Sequence, residues 1–150
     1  MQRFISSALG VKTSSSPRDR SWVFSGWGLL PAALPSAFRI YARHGVQAMF
    51  VPSAWPASRR KHWELFITAR ACENQMFVTG INTNGTTPVD SYAGESLTAD
   101  PNGTIIARAR EAEQLLFCDL DPALVESIRT AFPVARDCKS ELYPVLSCRK

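Results

Sequence analysis

VQAMFVPSAWPASRRKHWELFITARACENQMFVTGINTN, residues 46–84, sets the architecture of this chain. Its two apolar runs, 46–51 and 76–82, are rich in Val, Ile and Phe and too short for helices, which predicts buried strands. Between them, residues 57–75 place apolar side chains near helical spacing, and Pro56 precedes them where its missing N–H costs little. Strand, loop, helix and strand together form the repeating unit of layered α/β sheets, so we predict this class.

The chain after residue 84 predicts more strands and one more helix. The predicted strands are 91–100, 104–108 and 113–120, with an Asp-Pro-Asn-Gly hairpin turn at 100–103. Asp121 is typical of a helix N-cap with Pro122 in the first helical position, and Pro133 ends the helix that follows. The C-terminal half therefore also has mixed α/β character.

Charge and hydropathy exclude two classes of partner. Residues 1–37 hold four basic residues and one acidic residue, whereas residues 38–150 hold thirteen and twelve, so the bulk of the chain is nearly neutral. The basic cluster Arg-Arg-Lys at 59–61 begins the predicted helix, where a solvated face is the simpler explanation than a nucleic-acid footprint. No apolar run approaches the roughly 18 residues that a membrane span needs. We expect no nucleic-acid partner and no membrane partner.

Cysteine and histidine spacing predicts neither a metal nor a cofactor. The four cysteines are Cys72, Cys118, Cys138 and Cys148. No pair has Cys-x-x-Cys spacing, and His44 and His62 add no ligand pattern. Without a clear secretory signal, free thiols in a reducing compartment are the expectation, which predicts a cytoplasmic protein.

A series of short motifs runs through residues 38–143. They are Tyr-Ala-Arg-His-Gly at 41–45, Pro-Ser-Ala-Trp-Pro at 52–56, Ala-Arg-Ala-Cys-Glu-Asn-Gln at 69–75, Gly-Ile-Asn at 80–82, Tyr-Ala-Gly-Glu-Ser at 92–96 and Asp-Pro-Asn-Gly at 100–103. In this order the chain resembles the nitrilase, or carbon–nitrogen hydrolase, superfamily, and more narrowly its amidase-type branches. The resemblance implies the C-terminal half of a four-layer αββα sandwich, with a mixed sheet and flanking helices. We predict a partial carbon–nitrogen hydrolase domain at 36–150 and an irregular head at 1–35 that does not match the family.

The resemblance also locates the slot of the family's nucleophile. The family segment Cys-Tyr-Asp-Leu-Arg-Phe-Pro-Glu precedes the first matched helix, and aligning its proline with Pro35 places the cysteine slot at Leu29. Leucine has no nucleophilic atom. The family's general-base glutamate and its lysine lie further upstream, yet residues 1–28 contain no glutamate and only Lys12, in a serine-rich stretch. The sequence therefore predicts a truncated hydrolase relative that lacks its catalytic residues and is inactive alone.

Part of a substrate pocket is nevertheless implied. In open α/β sheets, ligands bind outside the carboxyl ends of strands. Ser53, Ala54 and Trp55 follow one predicted strand end and Asn82 ends the next, and the resemblance implies that they border the substrate. Two alternatives stay open, namely a packing role for Trp55 between its two prolines and a turn role for Asn82.

The helix at 57–75 is implied to pack across a subunit interface. Its interface candidates are Trp63, Phe66, Arg70, Glu73 and Asn74. The alternative for Arg70 and Glu73 is an i, i+3 surface ion pair of small value. The predicted partner is a second copy or a full-length relative, and a small amide or nitrile is a substrate only of a completed site.

No cysteine is expected to replace the missing nucleophile. Cys72 is predicted to be buried in the helix and Cys118 to lie inside a strand. Three functions follow from this. The first is an inactive hydrolase relative, and the second is a non-catalytic partner or pseudogene-like fragment that associates with a full-length relative. The third is an unrelated role, such as targeting, for residues 1–35.

Overall fold

The computed structural model describes residues 9–13, 22–24, 35–110 and 113–137. Its elements are β1 (Leu9–Thr13), β2 (Trp22–Phe24), α1 (Pro35–Arg43), β3 (Ala48–Ser53), α2 (Arg60–Asn74), β4 (Phe77–Asn82), β5 (Asn84–Thr86), β6 (Ser91–Ala93), β7 (Leu97–Ala99), β8 (Ile105–Arg108), β9 (Leu116–Leu120) and α3 (Pro122–Ala131). A 3₁₀ turn, Ala57–Arg59, precedes α2, and another, Val134–Arg136, follows α3. The strand–loop–helix–strand unit predicted from residues 46–84 is confirmed.

A five-stranded mixed sheet forms the centre of the fold, in the order β2-β3-β4-β7-β8. Strands β2, β3 and β4 are parallel, whereas β7 and β8 run antiparallel to their neighbours. A second sheet pairs β1 with β9 in parallel, and β5 and β6 form a separate hairpin. The predicted class, α/β with a mixed sheet and flanking helices, is confirmed.

Strand alternation divides the interior into two apolar clusters, one on each face of the central sheet. One face packs against α1 and α2, and its buried residues include Phe38, Met49, Val51, Trp63 and Ile67. The other face packs against β9 and α3, and its buried residues are Ala48, Phe50, Phe77, Leu120 and Val125. Both faces of β3 and β4 are therefore covered, which explains why both strands are continuous apolar runs.

Gly80 brings helix α2 close to the sheet. A Cβ atom built at this position would lie 2.4 Å from the Trp63 ring and 2.9 Å from Cδ1 of Ile67. Only a residue without a side chain leaves this space for the Trp63 indole. The glycine in the second apolar run therefore serves helix–sheet packing.

The helix ends follow their sequence signals. The Asp121 carboxylate accepts a hydrogen bond from the Ala123 N–H at 3.0 Å, which caps α3 with Pro122 in first position as predicted. Helix α2 ends at Asn74, and the next residue, Gln75, has a left-handed φ of 50° that turns the chain into β4. It begins at Arg60, because Ala57–Arg59 form the 3₁₀ turn instead of a first α-helical turn.

Three local predictions need correction. Residues 91–100 form two strands, since Gly94 and Glu95 both adopt positive φ and bend the chain between β6 and β7. The head includes β1 and β2, which pair in parallel with β9 and β3, so it is not irregular throughout; such distant partners leave no local pattern. Cys72 is exposed on α2 and not buried, whereas Cys118 lies half-buried in β9 as predicted.

Candidate functional site

The predicted pocket residues lie together at the carboxyl ends of β3 and β4. Ser53 and Asn82 are paired across the two parallel strands, and the Thr83 N–H donates to the Ser53 carbonyl at 3.1 Å. Ala54 and Trp55 follow directly in the loop to α2. Because β2 runs parallel to β3, its carboxyl end lies at the same edge of the sheet. This edge is the candidate functional site.

Asn82 ties three chain segments together at this edge. Its Oδ1 accepts a hydrogen bond from the Trp55 N–H at 2.6 Å, and its Nδ2 donates to the carbonyls of Gly94 at 2.8 Å and Trp55 at 3.3 Å. The side chain is buried, and both amide hydrogens are used within the protein. Asn82 therefore acts as a positioning residue that fixes the loop after β3 against the bend before β7.

Ser96 reinforces this arrangement from the opposite strand. Its Oγ accepts from the Asn82 N–H at 2.9 Å and donates to the Asn82 carbonyl at 3.3 Å. A hydroxyl carries one donor and two acceptor positions, so it satisfies both backbone groups of Asn82. The end of β4 is thus held by side chains where regular sheet pairing stops.

Trp55 points its ring toward helix α2. Its indole Nε1 donates to the Arg59 carbonyl at 2.8 Å, and its ring lies 5.7 Å from the Trp63 ring and 5.8 Å, edge-on, from the Phe66 ring. Aromatic pairs at these separations stabilise beyond their buried area. The ring has the packing role left open by the sequence, and substrate contact by Trp55 stays a prediction.

Ser53 is the predicted pocket residue with unused hydrogen-bonding capacity. Its Oγ is buried and has no hydrogen-bond partner in the part of the chain that the structure describes. A buried hydroxyl without a partner costs about 1–3 kcal/mol, so such an atom points to a ligand or a further contact. Ala54 is half-buried and offers no polar side chain. Ser53 is thus the polar side chain best suited to contact a bound molecule here.

The bend beside Asn82 also carries a buried carboxylate, which the sequence reasoning missed. The Glu95 carboxylate accepts from Nε of Arg60 at 2.6 Å, and the Glu95 carbonyl accepts from the Trp63 indole at 3.0 Å. This pair fixes the start of α2 to the bend before β7. The Tyr-Ala-Gly-Glu-Ser motif contained the residue, but only its left-handed backbone and its distant partner reveal its position.

The interface candidates on α2 are largely engaged inside the chain. Trp63 is 1 % exposed and belongs to the core, so its side chain presents no surface to a partner. The Arg70 guanidinium lies 5.9 Å from the Phe38 ring and 5.8 Å from the Phe66 ring, and it donates to Glu73 at 2.7 Å. These contacts seat α1 on α2, and a role in assembly for this helix stays a prediction.

Asn74 and a buried guanidinium atom complete this cluster. Asn74 Nδ2 donates to the Arg70 carbonyl at 2.9 Å and to the Glu73 carboxylate at 3.3 Å. Arg70 Nε is buried without a hydrogen-bond partner among the described residues. The Arg70–Glu73 pair therefore differs from the exposed surface pair considered from sequence, because the guanidinium also lies near two aromatic rings and the Asn74 amide donates to the Glu73 carboxylate.

The described residues at the carboxyl edge supply no strong nucleophile. Leu29, Cys138 and Cys148 lie outside the described residues. Cys118 lies in β9, where burial raises the pKa of its thiol despite a hydrogen bond to Thr98, which disfavours the nucleophilic thiolate. Across the described ranges, no group of three or more His, Cys, Asp or Glu side chains is placed to hold a metal ion. Nor is any helix there both long and apolar enough to cross a membrane.

Known sequences place this chain among hydrolases. Residues 31–130 match the sequence model of the carbon–nitrogen hydrolase family. The "Hydrolase in agr operon" of Staphylococcus aureus is 38 % identical over 109 residues, which covers 73 % of this chain and 42 % of that protein. The 2-oxoglutaramate amidase of Bacillus subtilis is 33 % identical over the same shares. The chain thus spans about four tenths of the length of these curated relatives.

Solved structures show the same architecture. Saccharomyces cerevisiae Nit3, a member of the nitrilase superfamily, matches with a TM-score of 0.69 and 30 % identity, covering 75 % of this chain and 42 % of that chain. The Caenorhabditis elegans NitFhit protein matches with a TM-score of 0.75 and 27 % identity over 81 % of this chain and 30 % of that one. A Helicobacter pylori carbon–nitrogen hydrolase has a TM-score of 0.76 at 21 % identity over 87 % and 50 %, which shows the fold alone.

Proposed function

The chain belongs to the carbon–nitrogen hydrolase family, and we propose that it builds the frame of an amidase-type site without hydrolysing amides by itself. The observation that supports this proposal is Leu29, the residue that falls in the slot of the family's nucleophilic cysteine when the family's proline is aligned with Pro35. A hydrocarbon side chain forms no thioester, so the family's covalent step has no attacking atom.

The carboxyl edge of the sheet supports the first part of this proposal, namely that the chain builds the frame of an amidase-type site. Asn82 and Ser96 hold the ends of β3, β4 and the bend before β7 in one arrangement through their hydrogen bonds. Catalytic groups act well only when the surrounding segments are rigid. The frame therefore offers a preorganised wall, and Ser53 Oγ is the group we assign to contact the substrate.

A small, non-peptide amide is the substrate class that we propose for a completed site. Relatives of this chain include proteins described as 2-oxoglutaramate amidase and as an omega-amidase of Saccharomyces cerevisiae, the latter 33 % identical over 111 residues. In such a site, the Ser53 hydroxyl would hydrogen-bond the acyl portion of the amide. The nucleophile and the proton-transferring groups would come from a full-length relative.

Ammonia release from small amides and nitriles tests the proposed inactivity. The purified polypeptide is expected to release no ammonia above a buffer blank, while the Bacillus subtilis relative in parallel confirms that the assay detects amidase activity. Single Cys→Ser variants at Cys72, Cys118, Cys138 and Cys148 identify any substitute thiol nucleophile. Turnover that one of these changes abolishes would overturn the proposal.

Association through helices α1 and α2 is the second function we propose. Ile40 on α1 and Leu65 on α2 leave 56 % and 59 % of their surface exposed, and exposed apolar side chains favour association. The partner is a second copy or a full-length relative, as the resemblance implies. Arg70 is a poor probe of this surface because it is buried, so the test uses the exposed positions.

Light scattering after size exclusion, with and without a full-length relative, tests this association. We expect Leu65→Ser and Ile40→Ser to weaken the complex, whereas Val89→Ser, on the β5–β6 hairpin and 86 % exposed, leaves it unchanged. A monomer at all concentrations that binds no relative would rule out the second function. Equal weakening by all three changes would contradict a surface confined to α1 and α2.

A further inference from the structure

A cavity lies at the end of the central sheet opposite the candidate site. It has a volume of about 380 Å³. Its lining includes Arg39, Arg43, Glu73, Arg129 and Arg136. Arg129 donates to the carbonyls of Val46 and Gln75, which stand just before β3 and β4. The cavity is therefore at the amino ends of these strands, and the candidate site is at their carboxyl ends.

Positive charge dominates the lining of this cavity. Four arginines line it together with a single carboxylate, Glu73. That carboxylate already pairs with Arg70 at 2.7 Å and with Arg39 at 3.6 Å. Among the described lining residues, arginines therefore outnumber carboxylates four to one.

Arg129 shows that this charge is partly desolvated. Its Nε donates to the Gln75 carbonyl at 3.1 Å, and its Nη2 donates to the carbonyls of Val46 at 2.8 Å and Asn74 at 3.4 Å. Burial lowers the pKa of the guanidinium, because the charged form loses hydration. Among the described residues Arg129 forms no salt bridge, and its Nη1 has no hydrogen-bond partner there.

Capping of helix ends accounts for only part of this arrangement. Helices α1, α2 and α3 end at Arg43, Asn74 and Ala131, and cations near helix C-termini offset the exposed carbonyl groups. Arg129 fills that role through its contacts with the Asn74 and Gln75 carbonyls. Arg39 lies in the middle of α1, so capping of helix ends does not account for its place in the lining.

We propose that this cavity binds a small phosphate-bearing anion. Guanidinium groups present planar N–H donors that match phosphate oxygens in pairs, and four arginines line this cavity. The volume exceeds what inorganic phosphate needs and suits a small phosphorylated metabolite. This site is independent of carbon–nitrogen bond chemistry, because it lies at the other end of the strands.

Phosphate binding to the full polypeptide, measured by calorimetry, tests the proposal. The titrants are inorganic phosphate and glycerol phosphate, with sodium chloride at matched ionic strength as the reference. Arg136→Ala is the test variant and Arg59→Ala is its control. Both arginines are exposed and end a 3₁₀ turn, and only Arg136 lines the cavity.

We expect saturable binding that Arg136→Ala weakens about tenfold, the effect of one charge-assisted hydrogen bond, while Arg59→Ala leaves the affinity unchanged. Tighter binding of glycerol phosphate than of inorganic phosphate would identify a phosphate ester as the ligand. Equal affinity would identify free phosphate. Heat identical to that of sodium chloride, or equal weakening by both variants, would overturn the proposal.

Discussion

The two ends of the central sheet are built on different principles. At the carboxyl ends of β3 and β4, the uncharged side chains of Asn82 and Ser96 form hydrogen bonds with backbone groups. The buried Ser53 Oγ there has no hydrogen-bond partner among the described residues. At the amino ends, arginines surround a cavity with one carboxylate between them. Among the described residues, neutral hydrogen bonds hold the first end, whereas guanidinium groups line the second. Family resemblance points only to the first end, and the second becomes visible only in three dimensions.

Removing the Asn82 side chain gives the largest effect we expect at either end. Asn82→Ala would leave the Trp55 N–H and the Gly94 carbonyl unpaired in a buried place, which costs about 4 kcal/mol of unfolding free energy in total. Urea unfolding followed by circular dichroism measures it. Asn102→Ala, at an exposed turn, should change stability by less than about 0.5 kcal/mol. Similar losses in both variants would show that the carboxyl end is not held as described.

A substitution at Gly80 tests how closely helix α2 packs against strand β4. Gly80→Ala places a methyl group against the Trp63 ring, and overpacking of this kind costs about 2–3 kcal/mol. Gly45→Ala is the matched control, because its added Cβ meets no atom within 4 Å and its φ of 81° alone costs about 1 kcal/mol. Equal unfolding free energies for the two variants would contradict the close contact.

The Arg60–Glu95 pair sharpens the comparison between buried and exposed charge. Glu95 is buried whereas Arg60 is about half exposed, so Arg60→Ala should destabilise the fold by only about 1 kcal/mol, after solvent screening is allowed for. The Arg60→Ala/Glu95→Gln double variant should recover part of this loss, since no buried charge remains. Arg108→Ala, which breaks an exposed pair with Glu64, serves as the control and should cost nearly nothing. A loss as large for Arg108→Ala would contradict the assigned role of Glu95.

Cys118 gives the smallest predicted effect. Burial raises the pKa of its thiol in the folded state above the unfolded value, so the folded state keeps this proton to higher pH. Stability from this group is therefore complete below the unfolded pKa and is lost as pH rises through the folded pKa. Site-resolved alkylation followed by peptide mass spectrometry should give a higher pH midpoint for Cys118 in the folded than in the unfolded protein. Coincident midpoints would show that the thiol is solvated.

Local patterns in the sequence predicted the elements whose partners are close along the chain. The spacing of apolar residues in 46–84 correctly predicted a strand, a helix and a second strand. Asp121 correctly predicted the start of α3. The motifs also placed Ser53 and Asn82 at one edge correctly, because the carboxyl ends of parallel strands share a side. These features depend on backbone geometry and nearest neighbours, which a single sequence encodes directly.

The remaining features depend on contacts between distant segments. The Asn82 carboxamide joins two loops that no sequence period relates, and the Arg129–Val46 contact spans 83 positions. Strands β1 and β2 form through pairing with far segments, so composition alone suggested an irregular head. The exposure of Cys72 was missed because a helical position between apolar and charged neighbours does not fix which face it occupies.

Intact-mass measurement of the polypeptide during exposure to a small amide tests the central claim most directly, namely that the carboxyl end is a frame without an attacking atom. Samples are acid-quenched within seconds to preserve any acyl–enzyme intermediate. We predict the unmodified mass at every time and substrate concentration. An added acyl mass that maps to any cysteine would contradict the account, because it would show that this polypeptide carries a working nucleophile.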